Sequence, residues 1–437
     1  MSGGSVQHAP IRGRWGFGFT WVRLVLFALG ALGVLAITYR LIFGLGVATN
    51  LNDDWPWGLW VWWDVLTGVA LAGGGYSTVL VVNFLGRERY RHIERAACLT
   101  SLIGYLLVCG GLGLDLGRWF NAWRPLVSWG YHSVMFELFI CVSGYTIVQV
   151  IEFLYVFDER LPLPRIVRTV LSKIYVPVLI VGVVLPFLHQ SALGSLYVIA
   201  KGRLDPLWWS MLLPLFFLVS SFYVGPAMVT VENFLSAHAQ GRRPPIDVLS
   251  GMVRFAGKLM TWYLVLRVGD LAVRGILPRV WEGSVQSQLL LLEVVVGVAV
   301  PAALFLVRST RRQPFWLATG GALAVLGVAL GRANVVFTAM ADSAHGATYV
   351  PSLVELAVTV GLISIGILAY LFVVENFPIL TKEEAAEATS HVVERTMLPA
   401  PLRPRPSYAA SARPRPAARP SRGRRAEVRV RRSPPSG

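Results

Sequence analysis

The 437 residues are 55% hydrophobic and only 15% charged, which excludes an ordinary soluble globular chain and leaves a polytopic membrane protein as the class. The formal net charge of +16 does not point to nucleic acid, because the Lys/Arg excess sits in short loops and a C-terminal tail, as in cytoplasmic segments of membrane proteins. Cys98, Cys109 and Cys141 all fall in apolar runs without CxxC spacing, so no metal site, disulfide framework or iron–sulfur cluster is expected of this chain.

Residues 1–20 read as an N-terminal cytoplasmic segment and not as a signal peptide: Met1–Gly18 is Gly-rich and polar, and the apolar run behind Arg12 and Arg14 is too long for an h-region. Ten apolar segments follow, at roughly Trp21–Leu45, Pro56–Leu85, Ala96–Leu116, Val127–Phe157, Val170–His189, Leu207–Leu235, Leu249–Val273, Val285–Val307, Phe315–Thr338 and Val350–Val374. Each is near the ~20 residues that cross a bilayer as a helix. The expected fold is an all-α integral membrane protein, a bundle of about ten transmembrane helices over residues 21–376. Arg87, Arg89, Arg91 and Arg95, then Arg160, Arg165 and Arg168, then Arg242 and Arg243, then Arg308, Arg311 and Arg312 make the even-numbered connections the basic ones. That bias predicts both termini in the cytoplasm of a bacterial inner membrane. Residues 377–437 turn to Ala and Glu and then to Pro and Arg. Such a basic tail is expected to be disordered and to attract anionic lipid.

The stretch Asn50–Asp64, NLNDDWPWGLWVWWD, sets five tryptophans at the expected outer boundary and one aspartate beyond it. The tryptophans suit an interfacial belt, and Asn or Asp suits a helix start. An aspartate about two turns into a span needs a partner or a function. Further along, Asp115 closes the third segment, Glu137 lies inside the fourth, and His189 closes the fifth, followed by Gln190 and Ser191. Arg267 and Asp270 share a helix face in the seventh, where they read as an ion pair; Glu293, Arg332 and Glu355 fall in the outer thirds of the eighth, ninth and tenth. These read as proton-relay groups or structural ion pairs, Arg332 with a neighbouring glutamate among them. On the inner side only Glu152 and Glu232 are comparably embedded. Costly polar groups from different helices therefore gather on the outer side, around an interior cavity and away from lipid.

Membrane electron carriers often hold haem between two histidines, and here His132 and His189 could form one axial pair. There is no second pair at another depth to carry electrons across. Haem is not expected.

The run FGLGVATNLNDDWPWGLWVWWDVLTGVALAGGGY, the segment PFLHQSALGSLYVIA, LRVGDLAVR and PSLVELAVTVGLISIGILAY together resemble the NrfD/polysulfide-reductase membrane-subunit family, within it the haem-free subunit of respiratory nickel–iron hydrogenases that is labelled cytochrome b. The resemblance runs from about Ile37 to Phe377, and its specific part is LHQSxxGSL together with LNxxxPWGxW. It implies an integral subunit that exchanges electrons between menaquinone or ubiquinone and a ferredoxin-like iron–sulfur subunit docked on the outer face, in a complex with hydrogenase large and small subunits. A molybdopterin enzyme is the alternative partner. Carried over residue by residue, it implies quinone contacts from Asn52, Trp57 and Asp64, and also Glu137 and His189, with Gln190 beside the last. Asp53 and Asp54 depart from the small residues that members carry there. The roles expected are a hydrogen bond from His189 or Asp64 to a quinone carbonyl and proton relay by Glu137. A secondary transporter or proton channel is the competing class, but the chain has no evident internal repeat.

Overall fold

The computed structural model describes residues 20–72, 91–156, 163–240 and 243–377. They form ten main helices and no strand: α1 (Trp21–Phe43), α2 (Trp60–Ala72), α3 (Arg91–Asp115), α4 (Val134–Val156), α5 (Arg165–Ile199), α6 (Leu213–Gln240), α7 (Ile246–Val273), α8 (Val285–Leu306), α9 (Pro314–Ala333) and α10 (Leu353–Asn376). Each falls on one of the ten apolar segments. Among the described residues, eight helices are long and apolar enough to cross a membrane. The remaining two are α7, which carries Arg254, Lys258, Arg267 and Asp270, and α2, whose continuation into Gly73–Gly75 and beyond lies outside the described residues. The chain is a multi-pass integral membrane protein. The expected tail, residues 378–437, also lies outside.

Local sequence explains where several helices start and stop. Thr20 caps α1 by accepting the Arg23 N–H, and α1 ends at Gly44, whose φ of 89° a side chain would resist. Ser352 and Glu355 form a reciprocal capping box at the start of α10. Three helices contain π-helical stretches, Trp60–Thr67, Leu292–Ala299 and Asn334–Thr338. Each carries a buried polar residue, Asp64, Glu293 or Asn334. A π-turn widens the helix and re-aims such a side chain, which is why these turns cluster at working parts of proteins.

Packing sorts the helices into groups. Helices α2 to α5 pack in sequence, and α6 to α9 close on one another, with α5 against α6 and α2 against α9 joining the two. Beside them α1 packs along α10, where a Cβ on Gly33 would sit 2.5 Å from the Gly361 Cα. Without a hydrophobic drive between helices in lipid, such small-residue contact supplies close van der Waals packing. Most of α1 away from that seam is exposed apolar surface, as a lipid-facing helix requires. Its buried Arg40 donates from Nε to the Leu114 carbonyl at 2.7 Å and from Nη2 to Leu116 at 2.5 Å. Carbonyls left over at the end of α3 thereby gain donors.

Three boundaries move from their expected places. Helix α4 starts at Val134 and not at Val127, because the preceding residues form short 3₁₀ turns at Trp119–Asn121 and Arg124–Leu126. Helix α5 does not close at His189 but runs on to Ile199, with Pro177 and Pro186 inside it. Its 35 residues span about 50 Å at 1.5 Å per residue, more than the ~30 Å hydrocarbon core. Asp64 lies about one turn into α2 and not two, since Pro56 and Trp57 precede the helix.

Candidate functional site

The loops at the Asn50 end of the bundle are tied together by hydrogen bonds. Arg203 donates to the carbonyls of Asp53 and Asp54 at 3.3 and 3.4 Å, Asn50 Nδ2 to Val350 at 2.8 Å, and the Asp205 N–H to Ala339 at 2.7 Å. Asn52 is exposed and uses its side chain to accept the Trp55 N–H at 2.8 Å. That is a turn-forming role. Trp57 is half-buried, edge-on to Tyr197 with ring centroids 4.9 Å apart.

Behind this rim Asp64 is buried on the π-turn, where Thr67 Oγ1 donates to the Trp62 carbonyl five residues back at 2.8 Å. Thr359 of α10 is its side-chain donor, at a long 3.4 Å. Gly111 of α3 makes the room, since a Cβ there would lie 2.6 Å from Asp64 Cβ. Asp115 ends α3 half-buried, within electrostatic reach of Asp64, Arg40 and Glu355. Glu355 is fully committed: it accepts from Tyr349 Oη at 2.5 Å and from the N–H groups of Ser352 and Asn50 at 2.8 and 3.2 Å. Tyr349, on the loop ahead of α10, is held well above the usual phenol range, first by burial and then by that bond.

The feature that stands apart is on α5. His189 and Gln190 are both 0% exposed, and both ring nitrogens of His189 and both amide atoms of Gln190 have no hydrogen-bond partner. Adjacent residues diverge by ~100° around a helix, so the two side chains leave α5 in different directions. The His189 ring lies 6.0 Å from that of Tyr105 on α3. One turn beyond His189 sits an apolar cluster holding Ala192, Leu193, Tyr197, Val61 and Val65, and Trp57 packs on the same cluster. Leaving an amide or imidazole buried and unpaired costs about 1–3 kcal/mol per group. Each such side chain marks a place where a polar ligand or water completes the structure.

A second polar group lies within α6–α9. Trp208, Ser220, Tyr223, Tyr263, Arg267, Glu293 and Arg332 line a cavity of about 20 Å³, room for about one water. Here every charged side chain has at least one partner, although Arg267 Nε and Arg332 Nε stay buried and unpaired. Glu293 accepts from Trp208 Nε1 at 3.0 Å and Asn334 Nδ2 at 2.8 Å, while Arg332 donates to Ser220 Oγ at 2.8 Å and lies 3.4 Å over the Phe217 ring. The expected Arg267–Asp270 ion pair does not form. Asp270 pairs with Arg274 at 2.7 Å and accepts from Ser210 at 2.7 Å, whereas Arg267 donates to the Leu207 carbonyl at 3.1 Å and lies over Phe216. The i,i+4 spacing lets Arg274 reach Asp270 along one helix face, and Arg267 points into the cavity. Among the described residues neither Arg267 nor Arg332 has a carboxylate within salt-bridge distance, so the expected Arg332–glutamate pair is also absent.

Glu137 is brought to neither group. Because α4 starts late, it lies in the first turn of that helix and is exposed, not at the depth of Asp64. Residue-by-residue reading missed Tyr105, Tyr197, Thr359 and Tyr349, which carry no charge and so leave no mark in an apolar run. Tyr197 was accessible to it, eight residues past His189 in the same LHQS segment.

A family model described as polysulphide reductase, NrfD, matches residues 47–344. The chain is 33% identical over 356 residues to a probable Ni/Fe-hydrogenase 2 b-type cytochrome subunit of Escherichia coli K12, covering 79% of this chain and 89% of that protein. It is 26% identical over 400 residues to the integral membrane subunit of menaquinone reductase from Nitratidesulfovibrio vulgaris, covering 83% and 92%. A putative membrane subunit of dimethyl sulfoxide reductase from Halobacterium salinarum is 28% identical over 417 residues, covering 84% and 93%.

Proposed function

The chain belongs to the polysulphide reductase NrfD family, and on that premise we propose that it is the quinone-reactive membrane subunit of a respiratory oxidoreductase complex. The observation that carries this reading is the buried, unpartnered pair His189 and Gln190 beside a tyrosine- and tryptophan-rich apolar cluster. A quinone offers two carbonyl acceptors, a flat ring and an isoprenoid tail. His189 Nε2–H or Nδ1–H and the Gln190 amide are donors without an occupation, and Tyr197 and Trp57 offer ring faces and edges. One turn into α2, next to the Val61 and Val65 of that cluster, Asp64 is a buried carboxylate, and Asp115 closes α3.

In this reading menaquinone or ubiquinone is the substrate, and this chain supplies the headgroup's hydrogen bonds and its protons. Reduction of one quinone takes two electrons and two protons. The electrons come from an iron–sulfur subunit at the Asn50 end, and Asp64 with Asp115 handles protons. Glu137 stays outside this scheme because it is exposed in the first turn of α4. The hydrogenase partner is favoured by the 33% identity to a hydrogenase subunit, against 28% to the dimethyl sulfoxide reductase subunit. The loop charges support an inner-membrane location with both termini cytoplasmic.

The test is quinone-dependent turnover of the assembled complex in its native membranes. Asp64→Asn and His189→Ala are expected to lose most of it while donor oxidation by an artificial acceptor persists. Full quinone-dependent turnover in both variants would refute the site.

A further inference from the structure

We propose that the cavity within α6–α9 is a binding site for a monatomic anion of the halide class, held by Arg267 of α7 and Arg332 of α9. The site does not depend on the quinone reading. Both arginines line the cavity and are buried, at 2% and 5% exposure. Each commits one nitrogen, Nη2: that of Arg267 donates to the Leu207 carbonyl at 3.1 Å, and that of Arg332 to the Phe217 carbonyl at 3.2 Å and to Ser220 Oγ at 2.8 Å. The Nε–H of each is buried and has no partner among the described residues.

Neither ring contact satisfies these donors. The central guanidinium carbon of Arg267 lies 5.1 Å over the Phe216 ring and that of Arg332 lies 3.4 Å over the Phe217 ring. A ring face attracts the charge, but each Nε–H still lacks an acceptor atom. Charge decides what that acceptor is. Among the described residues Glu293 is the carboxylate that lines the cavity, and it stands beyond salt-bridge distance of both arginines while accepting from Trp208 and Asn334. Asp270 is taken up by Arg274. Two buried guanidiniums thus face one carboxylate, and a guanidinium cannot shed its proton, so one positive charge is left without a counter-ion inside the bundle. A buried charge is costly unless it is paired. Water can accept the Nε hydrogens but brings no charge; an anion does both.

Volume narrows the class further. About 20 Å³ is somewhat more than a single water-sized probe requires, which admits a monatomic anion and excludes a sulfate, a phosphate or a carboxylate-bearing metabolite. Tyr223 of α6 and Tyr263 of α7 line the same cavity, and a hydroxyl hydrogen can rotate toward an anion. Donors from α6, α7 and α9 thus surround one ion, which ties the three helices together.

The test uses the assembled complex in detergent, exchanged into sodium gluconate and titrated with sodium bromide at fixed ionic strength, which holds general screening constant. The temperature at which this subunit leaves the soluble fraction is expected to rise with bromide and to saturate, as for a ligand that binds the folded state. Crystals soaked in bromide should show an anomalous scattering peak between Arg267 and Arg332. Arg267→Gln and Arg332→Gln should abolish both signals. Since either could fail to fold, Glu293→Gln supplies the other arm: its side-chain carbonyl can still accept from Trp208 and Asn334, one negative charge is gone, and the half-saturating bromide concentration should fall about tenfold or more. No saturable rise in the wild type, no peak in the cavity, or the same half-saturation in Glu293→Gln as in the wild type overturns the site.

Discussion

Two buried polar regions are built on different principles. In the polar group within α6–α9 every charged side chain has at least one partner, although Arg267 and Arg332 each keep a buried Nε unpaired: Glu293 has Trp208 and Asn334, Arg332 has Ser220 and a ring face, Arg267 has the Leu207 carbonyl, and Asp270 has Arg274 and Ser210. On α5, His189 and Gln190 are just as buried and answered by nothing. The difference is therefore not burial but partnership: at His189 and Gln190 the whole polar side chain is left unpaired. In the first region the polar groups are mostly consumed in holding helices together, while in the second, the proposed quinone site, they are left for a polar ligand or water to complete.

The contrast can be broken most severely at Glu293. Glu293→Ala leaves Trp208 and Asn334 without their acceptor, and removing one partner of such a buried charged group costs about 3–5 kcal/mol, so thermal unfolding in detergent should shift sharply downward. Next comes Asp64→Asn, which should slow quinone turnover about 100-fold by removing a proton-handling group, with little change in unfolding because the Thr359 contact is long. His189→Ala is the mirror image of Glu293→Ala. No hydrogen bond is lost in the free protein, so stability should change little, yet quinone affinity should fall about tenfold, the value of one hydrogen bond of ~1.4 kcal/mol.

At the rim, Tyr349→Phe gives up its bonds to Glu355 and to the Leu59 N–H, and the unfolding free energy should drop by about 1–2 kcal/mol. Because the folded phenol is held above its ordinary range, that contribution is fully present below pH ~10 and lost as pH rises above it. Glu137→Gln should be the mildest change, within about 0.5 kcal/mol in unfolding, and it should leave turnover intact because the side chain is exposed.

Much of this was legible beforehand. Apolar run length gave each of the ten helices, since the bilayer sets that length and side-chain detail does not. The Asn50–Asp64 stretch and the LHQS segment are marked by composition and by family resemblance, and both contribute residues to the proposed site. What could not be read was partnership. The spacing of Arg267 and Asp270 is right for a pair, yet Arg274 competes from i+4 and wins. Depth was misjudged where a loop is as apolar as a helix, as at Val127, so Glu137 appeared buried when it is not. Uncharged members such as Tyr105, Tyr197 and Thr359 are silent in a hydropathy profile, and the π-turn that aims Asp64 depends on packing. Only the placement of helices against one another reveals which polar atoms are satisfied.

The most direct measurement is photolabelling of the complex with an azido-naphthoquinone, followed by peptide mapping of this chain. Label on the segments around Trp57–Asp64 and His189–Tyr197, lost in His189→Ala, is the predicted result. Label confined to residues 213–344, around the Arg267–Glu293–Arg332 cavity, would contradict the account.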